Sequence, residues 1–352
     1  MNSENIIFDE CKLRSNEIDL KKFRNKSVCI LGGNSFLASY IIAILSEGNI
    51  SHSLNCKISL FSRNRPNFLI NKFLKRDPNI SFVRFNFHPN SNYKDFFKKI
   101  KNDFIFYCLT YGQPAKWLDE ELVTIWLNTE LLKFFLSKSV KDNSTLMFFS
   151  SVDVYGDTSS YKKAVIEDYD GSVHLFSKRV SYGESKRLGE VLCKVYRENF
   201  NCNNYVVRPA HTYGPGMSKD DRRVIVELIQ RGLKENQISL LDKGLSKKTY
   251  GYIYDIAKMF IFIIQSGKYH TYNTTGENYI SIKNLANKIS KKLSLGEVKV
   301  KKSSLSHIQN DKSTSHISSK KVYKEFNIKN LTPLNIGLNN LINWLKLQND
   351  LK

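Results

Sequence analysis

The sequence predicts an α/β protein with a doubly wound parallel sheet and a smaller C-terminal lobe. From Ser27 to about Pro215, short apolar segments of strand length alternate with longer segments of helical period. Continuously apolar strands of this kind belong to parallel sheets that helices cover on both faces. A glycine-containing turn, LGGNSF, joins the first predicted strand to the first long predicted helix, and the alternation weakens beyond Pro215.

The predicted organisation has three parts. Residues 1–24 are polar and are expected to form an N-terminal arm or a short leading helix. Residues 25–215 are expected to hold the sheet, and residues 216–352 mainly the smaller lobe, with the chain returning to the sheet. The strand candidates are residues 28–31, 57–61, 81–87, 103–109, 145–150 and 204–209, and helix candidates include 36–48, 121–138 and 182–199.

The length and the composition limit the classes of protein to which this chain can belong. The chain has 352 residues, of which 41% are hydrophobic, enough for a sizeable core. No segment reaches the roughly 18 apolar residues of a membrane helix, and the N-terminus lacks a secretory pattern. The six cysteines are scattered without a CxxC pair, which favours buried free thiols in the cytoplasm and no metal site.

The formal net charge of +21 is compatible with nucleic acid, an anionic membrane surface or an anionic substrate as partner. Lysines are, however, spread over the whole chain. The densest basic run, KVKKSSLSHIQNDK, has no interleaved aromatic residues of the kind that bind single strands. We therefore expect no nucleic-acid and no membrane partner.

The turn after the first predicted strand points to a phosphate site. Gly32 and Gly33 supply a permissive backbone, so that N–H groups and the helix N-terminus can meet a pyrophosphate. Ser35 stands where a further glycine is common, and it either narrows that site or donates a hydroxyl to it. Ala38 still permits close packing of helix against strand.

The end of the second predicted strand indicates which dinucleotide binds. An acidic residue there accepts the ribose 2′-OH of NAD, whereas arginine favours the 2′-phosphate of NADP. The sequence has Ser62, Arg63 and Arg65, with no carboxylate. We expect NADP as the preferred cofactor, with NAD possible.

Tyr182 and Lys186 are four residues apart on a predicted helix and so share one face. An unperturbed tyrosine, with a pKa of about 10, is a poor acid–base group near neutrality. An adjacent ammonium favours the phenolate. The pair therefore suits proton exchange with a substrate hydroxyl.

In order, the glycine turn, the polar strand end SSVDVYG and YxxxK resemble the extended short-chain dehydrogenase/reductase family, in its nucleotide-sugar epimerase/dehydratase branch. The resemblance extends from about Asn25 to Lys346 and is nearest to UDP-glucuronate decarboxylases and 4,6-dehydratases. It implies a Rossmann-like fold, a substrate-binding C-terminal lobe and, from the helices after the fourth and fifth strands, a homodimer. It implies a nucleotide-diphosphate sugar as substrate.

The resemblance also assigns residues. Ser151 would hydrogen-bond the sugar C4 oxygen, Tyr182 would act as acid and base, Lys186 would tune it and hold the ribose, and Asp153 completes the catalytic candidates. Further cofactor-binding candidates are Phe36, Leu37, Asn86, Phe87, Leu109 and Pro209. Substrate-binding candidates, besides Ser151 and Asp153, are Asn128, Val152, His211, Arg223 (on the family's phosphate-binding arginine) and Lys248 (where relatives carry arginine).

The resemblance leaves the reaction open. Dehydratases of the branch carry Glu at the position of Asp153, often after another carboxylate, and here that preceding residue is Val152. A 4-keto-sugar reductase needs only Ser151, Tyr182, Lys186 and an exchangeable NADPH, so reduction in surface-polysaccharide sugar synthesis is our narrow expectation. Nucleotide-sugar 4-epimerase and 4,6-dehydratase with internally recycled cofactor are the alternatives, and a non-catalytic NAD(P)-binding regulatory protein is the alternative of another class.

Overall fold

The computed structural model describes residues 5–110, 119–177, 180–300 and 315–350. The strands in these ranges are β1 (Ser27–Leu31), β2 (Lys57–Ser62), β3 (Ile80–Arg84), β4 (Phe104–Tyr107), β5 (Thr145–Phe149), β6 (Asn204–Pro209), β7 (Thr212–Tyr213), β8 (Ser239–Leu240), β9 (Lys247–Tyr252), β10 (Thr271–Thr274), β11 (Asn278–Ser281) and β12 (Lys299–Val300). The α-helices there are α1 (Ile6–Leu13), α2 (Phe36–His52), α3 (Phe68–Arg76), α4 (Tyr93–Lys98), α5 (Glu121–Asn128), α6 (Glu130–Asp142), α7 (Val180–Phe200), α8 (Val224–Glu235), α9 (Ile253–Ser266), α10 (Ile282–Lys292), α11 (Lys320–Glu325) and α12 (Leu334–Asp350).

The main sheet confirms the predicted doubly wound α/β fold. Within the described residues it has seven strands in the order β10-β6-β5-β4-β1-β2-β3, and all neighbouring pairs are parallel. The chain winds outward from β1 in one direction and from β4 in the other. A crevice for ligands forms outside the carboxyl ends of the strands at such a switch point.

The strand β1 shows why the sheet is buried on both faces. Val28 and Ile30 pack into the apolar cluster on one face, and Cys29 and Leu31 pack into the cluster on the other. All four side chains are fully buried. Because successive side chains of a strand point to opposite faces, an uninterrupted apolar strand requires helices on both sides.

The predicted strands lie where the structure has strands, with differences at their ends. β6 coincides with the predicted range 204–209. β3 ends at Arg84 and β4 ends at Tyr107, earlier than predicted, so Asn86, Phe87 and Leu109 follow the strands instead of ending them. This places them at the carboxyl edge, on the side where the crevice forms.

The predicted helix over residues 121–138 is wrong as one helix. The chain forms two helices, α5 and α6, which break at Thr129 (φ −121°, ψ −83°). The Thr129 hydroxyl donates to the carbonyl of Ile125 at 2.8 Å, a backbone contact by which threonine competes with a regular helix. The break turns Asn128 inward, where it is fully buried.

The later part of the chain builds two small sheets and then returns to the main one. In the described residues β7, β9 and β11 form a three-stranded sheet, and β8 pairs with β12. The strand β10 pairs with β6 in parallel, joining residues 271–274 to the edge of the main sheet.

The N-terminal segment is a packed helix and not a solvated arm. In α1, Ile6, Ile7 and Cys11 are buried. Glu10 is also buried and accepts hydrogen bonds from the hydroxyls of Tyr40 (2.9 Å) and Tyr252 (3.0 Å). One carboxylate thus joins α1 to α2 and to the end of β9.

The sequence predicts buried free thiols and no membrane helix. All six cysteines are free and buried. Every helix among the described residues is too short or too polar to cross a membrane.

Candidate active site

A cavity of about 700 Å³ opens at the carboxyl edge of the main sheet. It is lined by residues that follow β1, β2, β3 and β4, by the first turn of α2, and by residues from the C-terminal part of the chain. Its size is that of a small-molecule site. The predicted site residues that line it are Gly32, Ser35, Phe36, Ser62, Arg63, Phe87, Leu109 and Arg223.

The glycine turn forms one wall. Gly32 has φ +88°, and a Cβ added there would lie 2.7 Å from the carbonyl oxygen of Cys108. A Cβ on Gly33 would lie 2.9 Å from Cβ of Leu60. Neither position accommodates a side chain without movement. The turn therefore packs against β2 and the residues after β4 at a distance that only glycine permits, as a tight dinucleotide-binding turn before a helix N-terminus requires.

Ser35 caps the helix that follows. Its Oγ accepts a hydrogen bond from the backbone N–H of Ala38 at 3.3 Å, and α2 begins at Phe36. A hydroxyl that accepts in this way keeps its own proton for donation. Ser35 thus fits a phosphate oxygen in addition to its capping role, and the residues present at this wall fit a dinucleotide.

Asn34 connects the glycine turn to the loop after β2. Its side-chain amide donates to the carbonyls of Asn64 (3.3 Å) and Arg65 (2.9 Å), and its Oδ1 accepts from the N–H of Asn67 at 3.2 Å. These bonds fix the loop that carries Ser62 and Arg63. Arg63 is exposed and lines the cavity, whereas Arg65 is exposed and does not.

Lys186 does not line the cavity but lies near Cys108, which does. It is fully buried, and its Nζ donates to the carbonyl of Phe149, the last residue of β5, at 2.6 Å. Burial lowers its pKa to about 7. The ammonium is close enough to the Cys108 thiol for each to influence the pKa of the other, and Cys108 lines the cavity.

Ser151 and Asp153 form a short turn directly after β5. The Ser151 hydroxyl donates to Oδ2 of Asp153 at 2.9 Å and accepts from the Asp153 N–H at 3.1 Å. The chain then enters a 3-10 helix, Val152–Tyr155. Val152 packs against the small apolar cluster that contains Val154 and Tyr155, so this position contributes apolar packing where a second carboxylate would stand in dehydratases.

Tyr182 is buried at the start of α7, and the Lys186 Nζ lies 5.9 Å from the centre of its ring. The neighbouring Gly183 lies against the Ser151 turn: a Cβ added there would be 3.4 Å from the carbonyl oxygen of Asp153. The structure therefore brings the start of α7 against the turn after β5. Four predicted catalytic residues, Ser151, Asp153, Tyr182 and Lys186, share this corner.

Asn128 supports the same helix. Its side-chain amide donates to Oγ of Ser185 at 3.0 Å, and that hydroxyl donates to the carbonyl of Tyr182 at 3.0 Å. Asn128 does not line the described cavity, although Leu127 does. Its observed role is to hold the first turn of α7.

A buried ionic network holds α7 to the strand ends. Glu190, one turn beyond Lys186, pairs with Arg208 at the end of β6 and accepts from the hydroxyl of Ser150. Arg208 also donates to the Tyr155 hydroxyl at 2.7 Å. The network fixes the register between the helix that carries Lys186 and the strand that precedes Ser151.

None of the four predicted catalytic residues lines the described cavity, and several predicted binding residues do not line it either. Leu37 packs against the core, Asn86 is exposed, and Pro209 pairs with Thr274 in the main sheet. His211 precedes β7, with its ring 5.7 Å from that of Tyr250, and Lys248 lies in β9 opposite Ile280. The structure thus places these last two beside the small sheet.

Some lining residues were not predicted from the sequence. They are Asn34, Ser39, Asn64, Asn67, Phe68 and Leu69 around the first turn, Cys108, Thr110 and Leu127 after β4, and Gly216, Ser218, Lys219, Asp221, Trp344 and Gln348 from the C-terminal part. The amide-rich loop NRPN was a signal for the first group, because asparagines stabilise turns. No local pattern indicates that Trp344 and Gln348 approach the glycine turn.

The model of the NAD dependent epimerase/dehydratase family matches residues 28–274. UDP-glucuronic acid decarboxylase 1 of Xenopus tropicalis is 25% identical over 248 residues, which cover 70% of this chain and 58% of that protein. The chain therefore spans less than two thirds of that relative.

A second relative and a solved structure give fuller coverage. The dTDP-4-dehydro-6-deoxy-D-allose reductase of Streptomyces sp is 22% identical over 271 residues, or 75% of this chain and 80% of that protein. The crystal structure of UDP-glucuronic acid 4-epimerase from Bacillus cereus, in complex with UDP-glucuronic acid and NAD, superposes with TM-score 0.74. It has 18% identity and covers 91% of this chain and 99% of the epimerase. That likeness shows a shared fold.

Proposed function

The chain belongs to the NAD dependent epimerase/dehydratase family, and from this premise we propose that it is a nucleotide-sugar oxidoreductase acting at sugar C4, more narrowly a 4-keto-sugar reductase. When bound, the nicotinamide dinucleotide supplies the hydride for C4. The protein supplies the proton, the orientation of the sugar and the site that excludes water. A setting in surface-polysaccharide sugar synthesis is part of the proposal.

The proposed roles follow from the corner after β5. Tyr182 donates its proton to the C4 oxygen as the carbonyl is reduced. Lys186 favours the resulting phenolate by its proximity, and Ser151 donates a hydrogen bond to the same oxygen once a sugar replaces Asp153 as its acceptor. Each role uses a side chain that the described residues hold in place.

One observation carries the proposal. The buried Lys186 ammonium lies 2.6 Å from the Phe149 carbonyl and near Cys108, which lines the cavity. Among the described residues it forms no ion pair with a carboxylate, and a buried lysine of this kind is costly unless it serves a function. Its position next to both Tyr182 and the cavity wall supports a catalytic role.

The position of Arg63 supports NADP as the preferred cofactor. It follows β2 and lines the cavity, and the sequence of the strand end, residues 62–65, contains no carboxylate. The 2′-phosphate of NADP would find an arginine there, whereas the 2′-hydroxyl of NAD would find no carboxylate. NAD is bound in the Bacillus cereus epimerase structure and remains the alternative.

The test supplies NADPH or NADH with dTDP- and UDP-linked 4-keto-6-deoxy sugars and follows the absorbance of the reduced nicotinamide. We expect stoichiometric loss of absorbance with at least one sugar and faster loss with NADPH. If no sugar oxidises either cofactor, the reductase proposal is wrong.

A second incubation distinguishes the two alternative activities, 4-epimerase and 4,6-dehydratase, by the products that form. An epimerase would interconvert C4 epimers of a nucleotide sugar, without net consumption of cofactor. A 4,6-dehydratase would release a 4-keto-6-deoxy product from a nucleotide hexose. The single carboxylate at Asp153, with Val152 packed in the apolar cluster, favours reduction or epimerisation over dehydration. Cofactor binding without any turnover would favour a regulatory protein.

We also propose a homodimer through α5 and α7. These two helices pack on each other and expose apolar side chains at helical spacing. They are Leu122 (83% exposed), Ile125, Leu188, Val191 and Val195. A contiguous apolar face of this kind is costly in water and suits a second copy of the chain. Sedimentation of the L188D/V191D double variant tests it: a monomer is expected, and an unchanged dimer would contradict it.

A further inference from the structure

Residues 214–223, here called the strap, lie over the first turn of α2. Gly216 has φ +96°, and a Cβ added there would lie 3.2 Å from Oγ of Ser39 and 3.4 Å from the ring of Phe36. The guanidinium of Arg223 lies 5.2 Å from the centre of the Phe36 ring. The strap thus contacts the helix N-terminus that the glycine turn presents to the cavity.

The C-terminal helix α12 holds the strap in place. The carbonyl of Met217 accepts from Trp344 Nε1 at 2.8 Å and from Gln348 Nε2 at 2.7 Å. Gln348 in return accepts from Lys219: its Oε1 from the backbone N–H at 3.0 Å and its carbonyl from Nζ at 2.9 Å. Four hydrogen bonds therefore join the strap to one turn of α12.

The strap brings positive charge to the cavity. Among the described residues that line it, the charged side chains are Arg63, Lys219 and Arg223 against Asp221, a net of two positive charges. A guanidinium has five N–H groups. Among the described residues, three N–H groups of Arg223 donate to the Asp221 carboxylate and the Thr212 carbonyl. The remaining N–H groups can donate to an anion.

We propose that the strap closes over the diphosphate of the bound dinucleotide, that Lys219 and Arg223 bind it from the side opposite the glycine turn, and that release of the cofactor requires the strap to separate from α12. This inference rests on the proposed function, because it assumes that the cavity binds the dinucleotide. It assigns Arg223 to the cofactor, whereas the family resemblance implies the substrate diphosphate. It also identifies Lys219 as a cofactor-binding residue.

The experiment measures how fast reduced cofactor dissociates. The protein is loaded with NADPH or NADH and mixed with excess oxidised cofactor, and the decay of nicotinamide fluorescence is followed. Lys219→Met removes one cation of the strap, and Gln348→Ala removes two of the four hydrogen bonds that join the strap to α12. Each is expected to dissociate about tenfold faster than the wild type, since a charge-assisted hydrogen bond, or two neutral ones, contributes about that factor.

Two variants serve as matched controls. Arg222→Ala removes an exposed cation of the strap that does not line the cavity, and Asn349→Ala removes the neighbouring amide of α12, which bonds to Gln230 at 3.1 Å. Both should dissociate within about twofold of the wild type, as surface substitutions do.

The outcomes separate this proposal from the proposed function. If the wild type binds cofactor and both test variants release it at the wild-type rate, the strap proposal is overturned while the proposed function stands. If Gln348→Ala fails to fold, the Lys219→Met rate decides alone. If the wild type binds neither cofactor, both proposals are wrong.

Discussion

The hydroxyl of Ser151 donates to the carboxylate of Asp153 at 2.9 Å, in the turn that directly follows β5. The same hydroxyl accepts from the Asp153 backbone at 3.1 Å, so one residue sets the direction of the Ser151 proton from two sides. A hydroxyl that must donate to a sugar oxygen benefits from being oriented before the sugar binds. We propose that Asp153 holds the Ser151 hydroxyl in place until a sugar oxygen replaces the carboxylate as acceptor of its proton, a positioning role that can be separated from acid–base catalysis.

Asp153→Asn keeps a hydrogen-bond acceptor but removes the ionisable group, whereas Asp153→Ala removes both. We expect the Asn variant to retain kcat within about threefold and the Ala variant to lose about tenfold, with KM little changed, because one orienting hydrogen bond is lost. Steady-state kinetics of both variants measure this. Equal and large losses in the two variants would instead identify Asp153 as an acid or base, as dehydration requires.

Lys186→Met should stabilise the cofactor-free protein at neutral and low pH. Burial lowers the pKa of this lysine from 10.5 to about 7. The unfolded chain therefore binds more protons between those values, and the stability of the wild type rises with pH across that window. Each pKa unit corresponds to about 1.4 kcal/mol, so the folded wild type is destabilised by up to roughly 5 kcal/mol below pH 7.

Thermal unfolding of the two proteins from pH 6 to pH 10 checks this prediction. The melting temperature of Lys186→Met should exceed that of the wild type at pH 6, and the difference should shrink as the pH rises. A difference that does not depend on pH would show that the ammonium is solvated in the folded protein. Lys194→Met, at an exposed position of the same helix, is the control.

Arg63→Ala should weaken the binding of NADPH by about tenfold and the binding of NADH much less, because a phosphate contact contributes about 1.5–3 kcal/mol. The chain offers its own control in Arg65, which is exposed two residues later and does not line the cavity. Binding titrations with both cofactors measure the effect. Equal losses for NADPH and NADH in Arg63→Ala would remove the basis for NADP preference.

Glu10→Gln should stabilise the protein above pH 7 and have little effect near pH 4. Burial raises the pKa of Glu10 from 4.5 to about 7, against the hydrogen bonds from Tyr40 and Tyr252 that lower it. The folded state then binds more protons than the unfolded state between these values, so stability falls as the pH rises through them. At pH 8 the gain for Gln is up to about 3 kcal/mol. Denaturant unfolding at pH 4.5 and pH 8 measures it, and a gain that is equal at both values would contradict the assignment.

The fold was predictable because it depends on local patterns. Continuous apolar strands such as β5 and β6, separated by helices, leave few topologies other than a doubly wound parallel sheet. Gly32 was predictable for the same reason, since only a permissive residue suits the turn before α2. The catalytic candidates follow from their order along the chain, and the structure brings Ser151, Asp153, Tyr182 and Lys186 to one corner.

The rest depends on contacts between distant parts of the chain. Glu10 lies in a polar segment, and nothing local indicates that it is buried against Tyr252. The break at Thr129 accompanies the inward position of Asn128 beside Ser185, which the hydrophobic period of the segment does not reveal. Trp344 and Gln348 reach Met217 only after the C-terminal lobe has folded. At these places charged and amide side chains form hydrogen bonds, and their partners are determined by the tertiary structure.

Hydride transfer at C4 is tested most directly by transfer of deuterium from [4-²H]NADPH, in both stereochemical forms, to a nucleotide 4-keto-6-deoxy sugar. We expect one form to label the product at sugar C4, as detected by NMR. Tyr182→Phe should bind cofactor normally and slow the transfer by about 10²–10⁴-fold. Tyr196→Phe, which loses a hydroxyl of the same helix bonded to Ser137, should react as the wild type does. A reduced sugar labelled at another carbon, or an undiminished rate in Tyr182→Phe, would contradict hydride transfer at C4 by this site.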